Sequence, residues 1–145
     1  MENSNTQSFN VYPEYRKLFL RVSIFNTETE LLQECEKIDA VYQFGSLGKG
    51  EQAAVTIPVF ATKSAESNNL LQLFGLIFFC RELRLDTIVV AHESMHASFL
   101  YAKRLRDLQW KKLDILGKDE ERFTMVQSNI MEQILKRMRK DYALI

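Results

Sequence analysis

Apolar residues recur along the chain with two periods, and these periods divide it into predicted strands and helices. Alternate positions of Lys17–Phe25 are apolar, which predicts a half-buried strand. Two mostly apolar runs, Ala53–Thr62 and Leu70–Cys80, predict two further strands. Proline cannot donate a hydrogen bond to a strand ladder, so Pro58 predicts that its strand lies at a sheet edge or is bulged there.

Three other segments have the apolar spacing of helices. The predicted helices are Glu28–Ile38, a helix within Leu85–Asp107, and Asp119–Tyr142. Thr27 and Glu30 form a capping box at the start of the first helix. Asp86 or Thr87 is the predicted N-cap of the second helix, because short polar side chains accept hydrogen bonds from the first turn.

The predicted order of elements is strand, helix, strand, strand, helix, helix. This order predicts an α+β fold, a small mixed β-sheet with the second helix and the C-terminal helix packed on it. A chain of 145 residues is long enough for one domain with its own core. We predict that residues 1–9 form a disordered tail and residues 10–145 the single domain. Phe44–Glu51, which contains three glycines, is predicted to be a loop and lacks the Lys-Ser/Thr ending of a phosphate-binding loop.

Composition and charge exclude several kinds of partner. Apolar residues make up 46% and charged residues 26% of the chain, as is usual for soluble globular proteins. The 19 basic and 19 acidic side chains cancel, so neither nucleic acid nor an anionic membrane is predicted as a partner. The N-terminal residues lack a secretory signal pattern, and Cys35 and Cys80 are not in a C-x-x-C motif. We therefore predict a cytoplasmic protein with reduced cysteines.

The most specific motif in the chain is H-E-x-x-H, at His92-Glu93-Ser94-Met95-His96. Residues four apart lie on one face of a helix, so His92 and His96 can present their imidazoles to one point. Zinc binds such nitrogens at roughly 2.0–2.1 Å. Glu93 lies at the edge of that face, where its carboxylate can reach a water beside the metal without being a ligand. No other histidine occurs in the chain.

The same helix face is rich in apolar residues, which predicts that it is buried. These residues are Leu85, Ile88, Val89, Phe99 and Leu100. Two imidazoles and a carboxylate that are buried without partners cost about 1–3 kcal/mol each, and one metal ion satisfies all three. This favours a metal site over the alternative, two core histidines that are satisfied by the protein alone.

The chain resembles the small zincin metallopeptidase-like proteins of phages and mobile elements, within the gluzincin class. The resemblance rests on the apolar strand Leu73–Phe79, on Thr87–Ala91 leading into H-E-x-x-H, and on Asp119-Glu120-Glu121 opening a later helix. It covers the C-terminal half of the chain, and the N-terminal strand–helix pair more loosely. It implies a minimal zincin-like fold in which the strand before the motif helix guides an extended peptide.

The resemblance also implies a zinc ion with three protein ligands, His92, His96 and a glutamate from the later helix. Helical spacing favours Glu120 over Glu121, because Glu120 is nearer the apolar face of its helix. Glu132 is a reserve ligand if both helices run their full length. Alternatively, the acidic residues only suit the positive N-terminus of a helix.

By the same resemblance the protein is a zinc metallopeptidase that hydrolyses peptide bonds through a zinc-activated water, with Glu93 as the general base. Its substrate is then a peptide or protein. The candidates for stabilising the oxyanion are Tyr42, Arg81, Arg84 and Tyr101. The alternatives are a non-catalytic zinc-binding regulatory or interaction module on a zincin scaffold, and a metal-free protein that binds partners through Leu70–Cys80 and the last helix.

Overall fold

Four strands and three helices make up the part of the chain that the computed structural model describes, residues 6–14, 18–42, 54–59, 72–108 and 111–142. In chain order they are β1 (Gln7–Val11), β2 (Phe19–Phe25), α1 (Glu28–Tyr42), β3 (Ala54–Pro58), β4 (Leu73–Cys80), α2 (Thr87–Asp107) and α3 (Glu120–Tyr142). The three helices pack on one mixed sheet, which confirms the predicted α+β fold. The loop predicted over Phe44–Glu51 lies outside the described residues.

The sheet has the strand order β1-β2-β4-β3. β1 and β2 are antiparallel, β2 and β4 are parallel, and β3 and β4 are antiparallel. β4 therefore lies inside the sheet, between β2 and β3. β3 is at the edge, as the proline at position 58 predicted.

Strand β1 was not predicted from the sequence. Residues 7–9, assigned to a disordered tail, pair with β2 in the structure, and residues 1–5 of that tail lie outside the described residues. Polar side chains occupy three of the five positions of β1, so only Phe9 and Val11 face the core. Pairing with β2 stabilises the strand, and the Ser8 and Ser23 hydroxyl oxygens lie 2.8 Å apart across the pair.

Side chains on the two faces of the sheet form two separate cores. Along β4, Phe78 and Cys80 contact the helix α1, whereas Ile77 and Phe79 belong to the core under α2 and α3. A strand covered on both faces needs apolar residues at nearly every position, which explains the continuous apolar run of β4. This burial argues against β4 as an exposed partner-binding surface.

The predicted helix caps are confirmed. The Thr27 N–H donates to Glu30 Oε1 at 3.2 Å, and the Glu30 N–H donates to Thr27 Oγ1 at the same distance. At the start of α2, Asp86 Oδ1 accepts from the Val89 N–H at 3.0 Å. These caps satisfy backbone donors that the first turn of a helix leaves without partners.

Helix α2 crosses the sheet antiparallel to β4. Near its C-terminus, the buried Arg104 donates from Nη1 to the Leu73 carbonyl at 3.0 Å. One turn earlier, Leu100 lies over Gly75, where an added Cβ would be 3.1 Å from Leu100 Cδ1. A glycine at this position lets the helix approach the sheet closely.

Helix α3 runs antiparallel to β1. Gln133 Nε2 donates to the Tyr12 carbonyl at 2.7 Å, just after β1 ends. Further along α3, the Arg137 guanidinium lies 4.8 Å from the centre of the Phe9 ring, which belongs to β1. Since β1 is antiparallel to β2 and β2 is parallel to β4, α3 and β4 run in the same direction. Helix α2 is antiparallel to β4, so α2 and α3 are antiparallel to each other.

Candidate metal centre and groove

An open groove of about 510 Å³ lies between the edge strand β3 and helix α2. His92, Glu93 and His96 of the H-E-x-x-H motif all line it, together with Ala54–Thr56 of β3. The helix and the strand are brought together by tertiary packing, because 37 residues separate Thr56 from Glu93.

The prediction that the histidine face of α2 is buried is wrong for the histidines, Ile88 and Phe99, whereas Val89 is buried and Leu85 and Leu100 are partly buried. Ile88 is 65% exposed and Phe99 is 51% exposed, and both histidines are also exposed. Helix α2 packs on the sheet through an adjacent face that includes Val90. Apolar residues occur on both faces of α2, so their spacing did not identify the face that meets the sheet. Of the two imidazoles and the carboxylate of the motif, only the carboxylate of Glu93 is buried, at 6% exposed. A free-energy cost of burial therefore applies to Glu93 alone.

The two imidazoles have a spacing that suits a shared metal ion. His92 Nε2 and His96 Nε2 are 3.2 Å apart, and the ring planes are inclined by 78°. Two nitrogens bound to one tetrahedral zinc at 2.0–2.1 Å are about 3.3 Å apart. The same separation also allows an N–H···N hydrogen bond between the rings. The distance between the two nitrogens therefore suits two ligands of one zinc ion and a direct hydrogen bond equally well.

Glu93 contacts the edge strand beside the histidines. The Thr56 hydroxyl donates to Glu93 Oε1 at 2.5 Å. On a helix, the residue after His92 lies about 100° further round the axis, and here this direction is towards β3. The carboxylate thus lines the groove from the sheet side, while the histidines line it from the exposed side of the helix.

Glu120 is not close to the histidine pair. The Phe99 and Phe123 rings are 5.1 Å apart, so these two residues lie at the same level of the α2–α3 pair. His96 precedes Phe99 by three residues, and Glu120 precedes Phe123 by three residues. Because the helices are antiparallel, these steps add up to about 9 Å along the axis at 1.5 Å per residue.

The other candidate ligands also lie apart from the groove. Glu120, Glu121 and Glu132 are all exposed, and none of them lines the groove. Glu132 instead forms a 3.7 Å ion pair with Lys136. Within the described ranges, no set of three His, Cys, Asp or Glu side chains is arranged to bind a metal ion. The third zinc ligand therefore stays a prediction.

Among the candidates for the oxyanion, only Arg84 lines the groove in the described part of the chain. Its Nε donates to Asp86 Oδ2 at 2.6 Å, and this hydrogen bond lowers the pKa of Asp86 below its usual range. The guanidinium has four further N–H donors.

The other three candidates are placed differently. Tyr101 is buried and donates to Glu14, and this burial together with the Glu14 contact raises the pKa of Tyr101 above its usual value. Arg81 donates from Nη1 to the Asn26 side chain. The Tyr42 side chain lies outside the described residues.

The strand beside the groove is β3, whereas the family resemblance implied the strand before the motif helix, which is β4. The Val59 N–H donates to the Phe74 carbonyl at 3.2 Å, and main-chain groups alternate along an antiparallel pair. The main-chain groups of Ile57 therefore point to β4, and those of Thr56 point away from the sheet. Among the described residues, no strand pairs with this outer edge of β3.

Thr56, which lines the groove and contacts Glu93, was not indicated as a candidate by the sequence. The proline two residues later did predict an edge strand, but no local pattern indicates which helix lies beside that edge. A hydroxyl in a short apolar strand is a weak signal, because threonine is common in strands for its β-branched shape alone.

Comparison of the chain with protein-family models, with curated proteins and with solved structures finds no match in any of the three. No helix in the described ranges is long and apolar enough to cross a membrane. An assignment of function therefore rests on the residues of the groove and their chemistry.

Proposed function

We propose that this chain is a zinc-dependent peptidase of the zincin type, which cleaves peptide bonds in the groove between β3 and α2. One observation carries the proposal. His92 and His96 present nitrogens 3.2 Å apart to the same groove that the Glu93 carboxylate lines. This combination offers two metal ligands of suitable spacing and, next to them, a base that is not itself needed as a ligand.

The outer edge of β3, which pairs with no strand in the described ranges, supports binding of an extended peptide. Outward-facing N–H and C=O groups on an edge strand can pair with a further strand, a common way of binding peptides. Thr56 has such main-chain groups, and its side chain contacts Glu93. A peptide that pairs at Thr56 therefore has its main chain near the carboxylate.

The exposed apolar side chains of α2 favour apolar side chains in the substrate. Ile88 and Phe99 lie one turn before and one turn after the histidine pair, and both line the groove. Large apolar side chains that remain exposed beside polar ligand groups are typical of binding sites. We expect cleavage next to residues such as leucine or phenylalanine.

The chemistry is hydrolysis of an amide bond. Zinc, when bound, supplies a Lewis acid that lowers the pKa of a water and polarises the scissile carbonyl. Glu93 takes a proton from the water as the water oxygen bonds to the carbonyl carbon. It then delivers that proton to the amide nitrogen as the C–N bond breaks. Arg84 is the candidate that can donate to the developing oxyanion.

A second candidate function needs only the two histidines that lie together. Catalytic zinc sites usually have three protein ligands, and in the described part of the chain only two are together. The two histidines would serve equally well in a regulatory or interaction module that binds zinc in this groove but does not hydrolyse peptides. Turnover that depends on Glu93 separates the two functions.

The test compares the wild-type protein with Glu93→Gln. Both are loaded with zinc and incubated with a peptide library, and cleavage is read by mass spectrometry. Glutamine keeps the shape of the side chain but cannot take a proton, so we expect a loss of about 10²–10⁴-fold in turnover with zinc retained. Glu36→Gln, the same substitution at an exposed position on α1 outside the groove, is the matched control and should keep full activity.

Cleavage that is equal in wild type and Glu93→Gln indicates a contaminating protease and contradicts the proposal. Zinc binding through both histidines without cleavage of any library member supports the non-catalytic module instead. A chelated wild-type sample shows whether the measured cleavage depends on the metal.

A further inference from the structure

Thr56 of β3 contacts Glu93 of α2, and these two elements line opposite sides of the groove. Its hydroxyl donates to Glu93 Oε1 at 2.5 Å, and its main-chain N–H and C=O face the outer edge of β3. The side chains of its neighbours Val55 and Ile57 instead lie on the opposite face of the sheet, in the core under α1. Thr56 therefore contacts the carboxylate of α2 from the strand that lines the opposite side of the groove.

The hydrogen bond restricts where the carboxylate can point. A glutamate side chain has three rotatable bonds and keeps considerable freedom unless a partner fixes it. Hydrogen bonds to an ionised carboxylate are roughly twice as strong as those between neutral groups. Because the hydroxyl binds Oε1, Oε2 is left to accept a proton from a water in the groove.

We infer that Thr56 is a positioning residue, which orients the Glu93 carboxylate for proton transfer and aligns it with a peptide on the edge of β3. This inference rests on the proposed peptidase function. A group misplaced by about 1 Å can lower a rate by 10²-fold, so the orientation of the base has a measurable effect.

The deciding variants are Thr56→Val and Thr56→Ser. Valine keeps the β-branched shape that suits a strand and removes the hydroxyl, whereas serine keeps the hydroxyl and removes the methyl group. We expect Thr56→Val to lower kcat by about 10–100-fold with KM changed by less than about threefold. Thr56→Ser should restore kcat to within about threefold of wild type, because the donor is present again.

A matched control removes a threonine hydroxyl elsewhere. The exposed Thr124 donates within α3 to the Glu120 carbonyl at 2.9 Å, and it does not line the groove. Thr124→Val should leave both kcat and KM within about twofold of wild type. Zinc content and melting temperature are measured for every variant, so that a loss of metal or of fold is seen separately.

Combination with Glu93→Gln tests whether Thr56 acts through the carboxylate. If it does, Thr56→Val adds less than about threefold to the loss that Glu93→Gln already causes, since residues that act as a unit are not additive. A purely structural role of Thr56 gives losses that multiply.

The outcomes separate this inference from the proposed function. Normal kcat in Thr56→Val, or no recovery in Thr56→Ser, overturns the role of Thr56 while Glu93-dependent turnover of the wild type still supports the peptidase. Absence of any Glu93-dependent turnover in the wild type overturns the peptidase and the positioning role together. Loss of kcat in the valine variant, recovery in the serine variant and non-additivity with Glu93→Gln support both.

Discussion

Helix α2 carries two groups of polar side chains that differ in their surroundings. His92, Glu93 and His96 line the groove, and within the described ranges the polar contacts of their side chains are those between the two rings and between Glu93 and Thr56. Two turns later, Tyr101 and Arg104 are buried and donate to protein groups.

The buried group connects α2 to the segment after β1 and to α3. Tyr101 donates to Glu14, and Arg122 donates to both Glu14 oxygens at 2.6 and 2.7 Å. Burial alone would raise the pKa of Glu14, but the hydrogen bonds from Arg122 and Tyr101 outweigh it and lower that pKa below its usual range. The carboxylate therefore stays ionised, and its acceptor sites are occupied.

Arg104, near the C-terminus of α2, donates hydrogen bonds to main-chain carbonyls of the sheet. It donates from Nη1 to the Leu73 carbonyl and from Nη2 to the Val59 carbonyl, where β4 begins and β3 ends. Burial lowers the pKa of Arg104, but an arginine remains a cation at neutral pH. These bonds connect α2 to the end of β3 and to the start of β4.

The difference shows what each group can do. Polar groups whose hydrogen bonds all end within the protein stabilise the fold, and removing one partner leaves the other without compensation. The two histidines are exposed and contact each other, so their imidazoles can bind an external ligand at little cost to the fold. Substitutions in the two groups should therefore affect different measurements.

The largest effect is expected at the histidines. His92→Ala and His96→Ala should each abolish zinc binding and lower turnover by at least about 10³-fold, because a metal contributes several kcal/mol to the transition state. The apo proteins should melt at the wild-type apo temperature, since both residues are exposed and alanine favours helices.

Zinc titration with melting curves and metal analysis measures this contrast. Zinc should raise the melting temperature of the wild type and not that of either variant, because a ligand that binds only the folded state stabilises it. The exposed Met95→Ala on the same helix is the control. Full zinc stabilisation of both histidine variants would contradict a metal site at this pair.

An intermediate effect, on stability, is expected at Glu14. Glu14→Gln should lower the free energy of unfolding by about 1–3 kcal/mol at pH 7, because two charge-assisted hydrogen bonds from Arg122 are weakened. Zinc binding should not change. Urea denaturation measures the difference, with the exposed Glu36→Gln as the control.

The same variant has a defined pH dependence. The folded-state pKa of Glu14 is lowered, so its contribution to stability is present above the unfolded pKa of about 4.3. That contribution is lost as the pH falls through the folded-state value. Wild type and Glu14→Gln should therefore converge in stability on acidification, and a gap that widens at low pH would contradict this account.

The smallest effect is expected at the acidic residues of α3. Glu120→Gln, Glu121→Gln and Glu132→Gln should each change zinc affinity by less than about threefold, because exposed side chains outside a site seldom affect it. Isothermal titration of zinc into each variant measures this. A selective loss of affinity in Glu120→Gln would identify it as the third ligand and require α3 to approach the histidines.

The sequence by itself determined the features that depend on neighbouring residues. The strand β2, the Thr27–Glu30 capping box and the Asp86 cap were all predicted and are present, although burial alternates only as far as Val22 and the second half of β2 is buried on both faces. The i,i+4 spacing of His92 and His96 was enough to bring their nitrogens together. Hydrogen bonds and side-chain periodicity within one element act over a few residues, so a local pattern encodes them.

Only the tertiary structure decided which surfaces meet. Apolar residues surround much of α2, so either of two faces could have packed on the sheet, and the histidine face remained exposed. Strand β1 has too few apolar residues to be recognised alone and exists through its pairing with β2. The contact of Thr56 with Glu93 joins residues 37 positions apart. Such contacts depend on how whole elements pack, because each element can bury its apolar side chains against more than one partner.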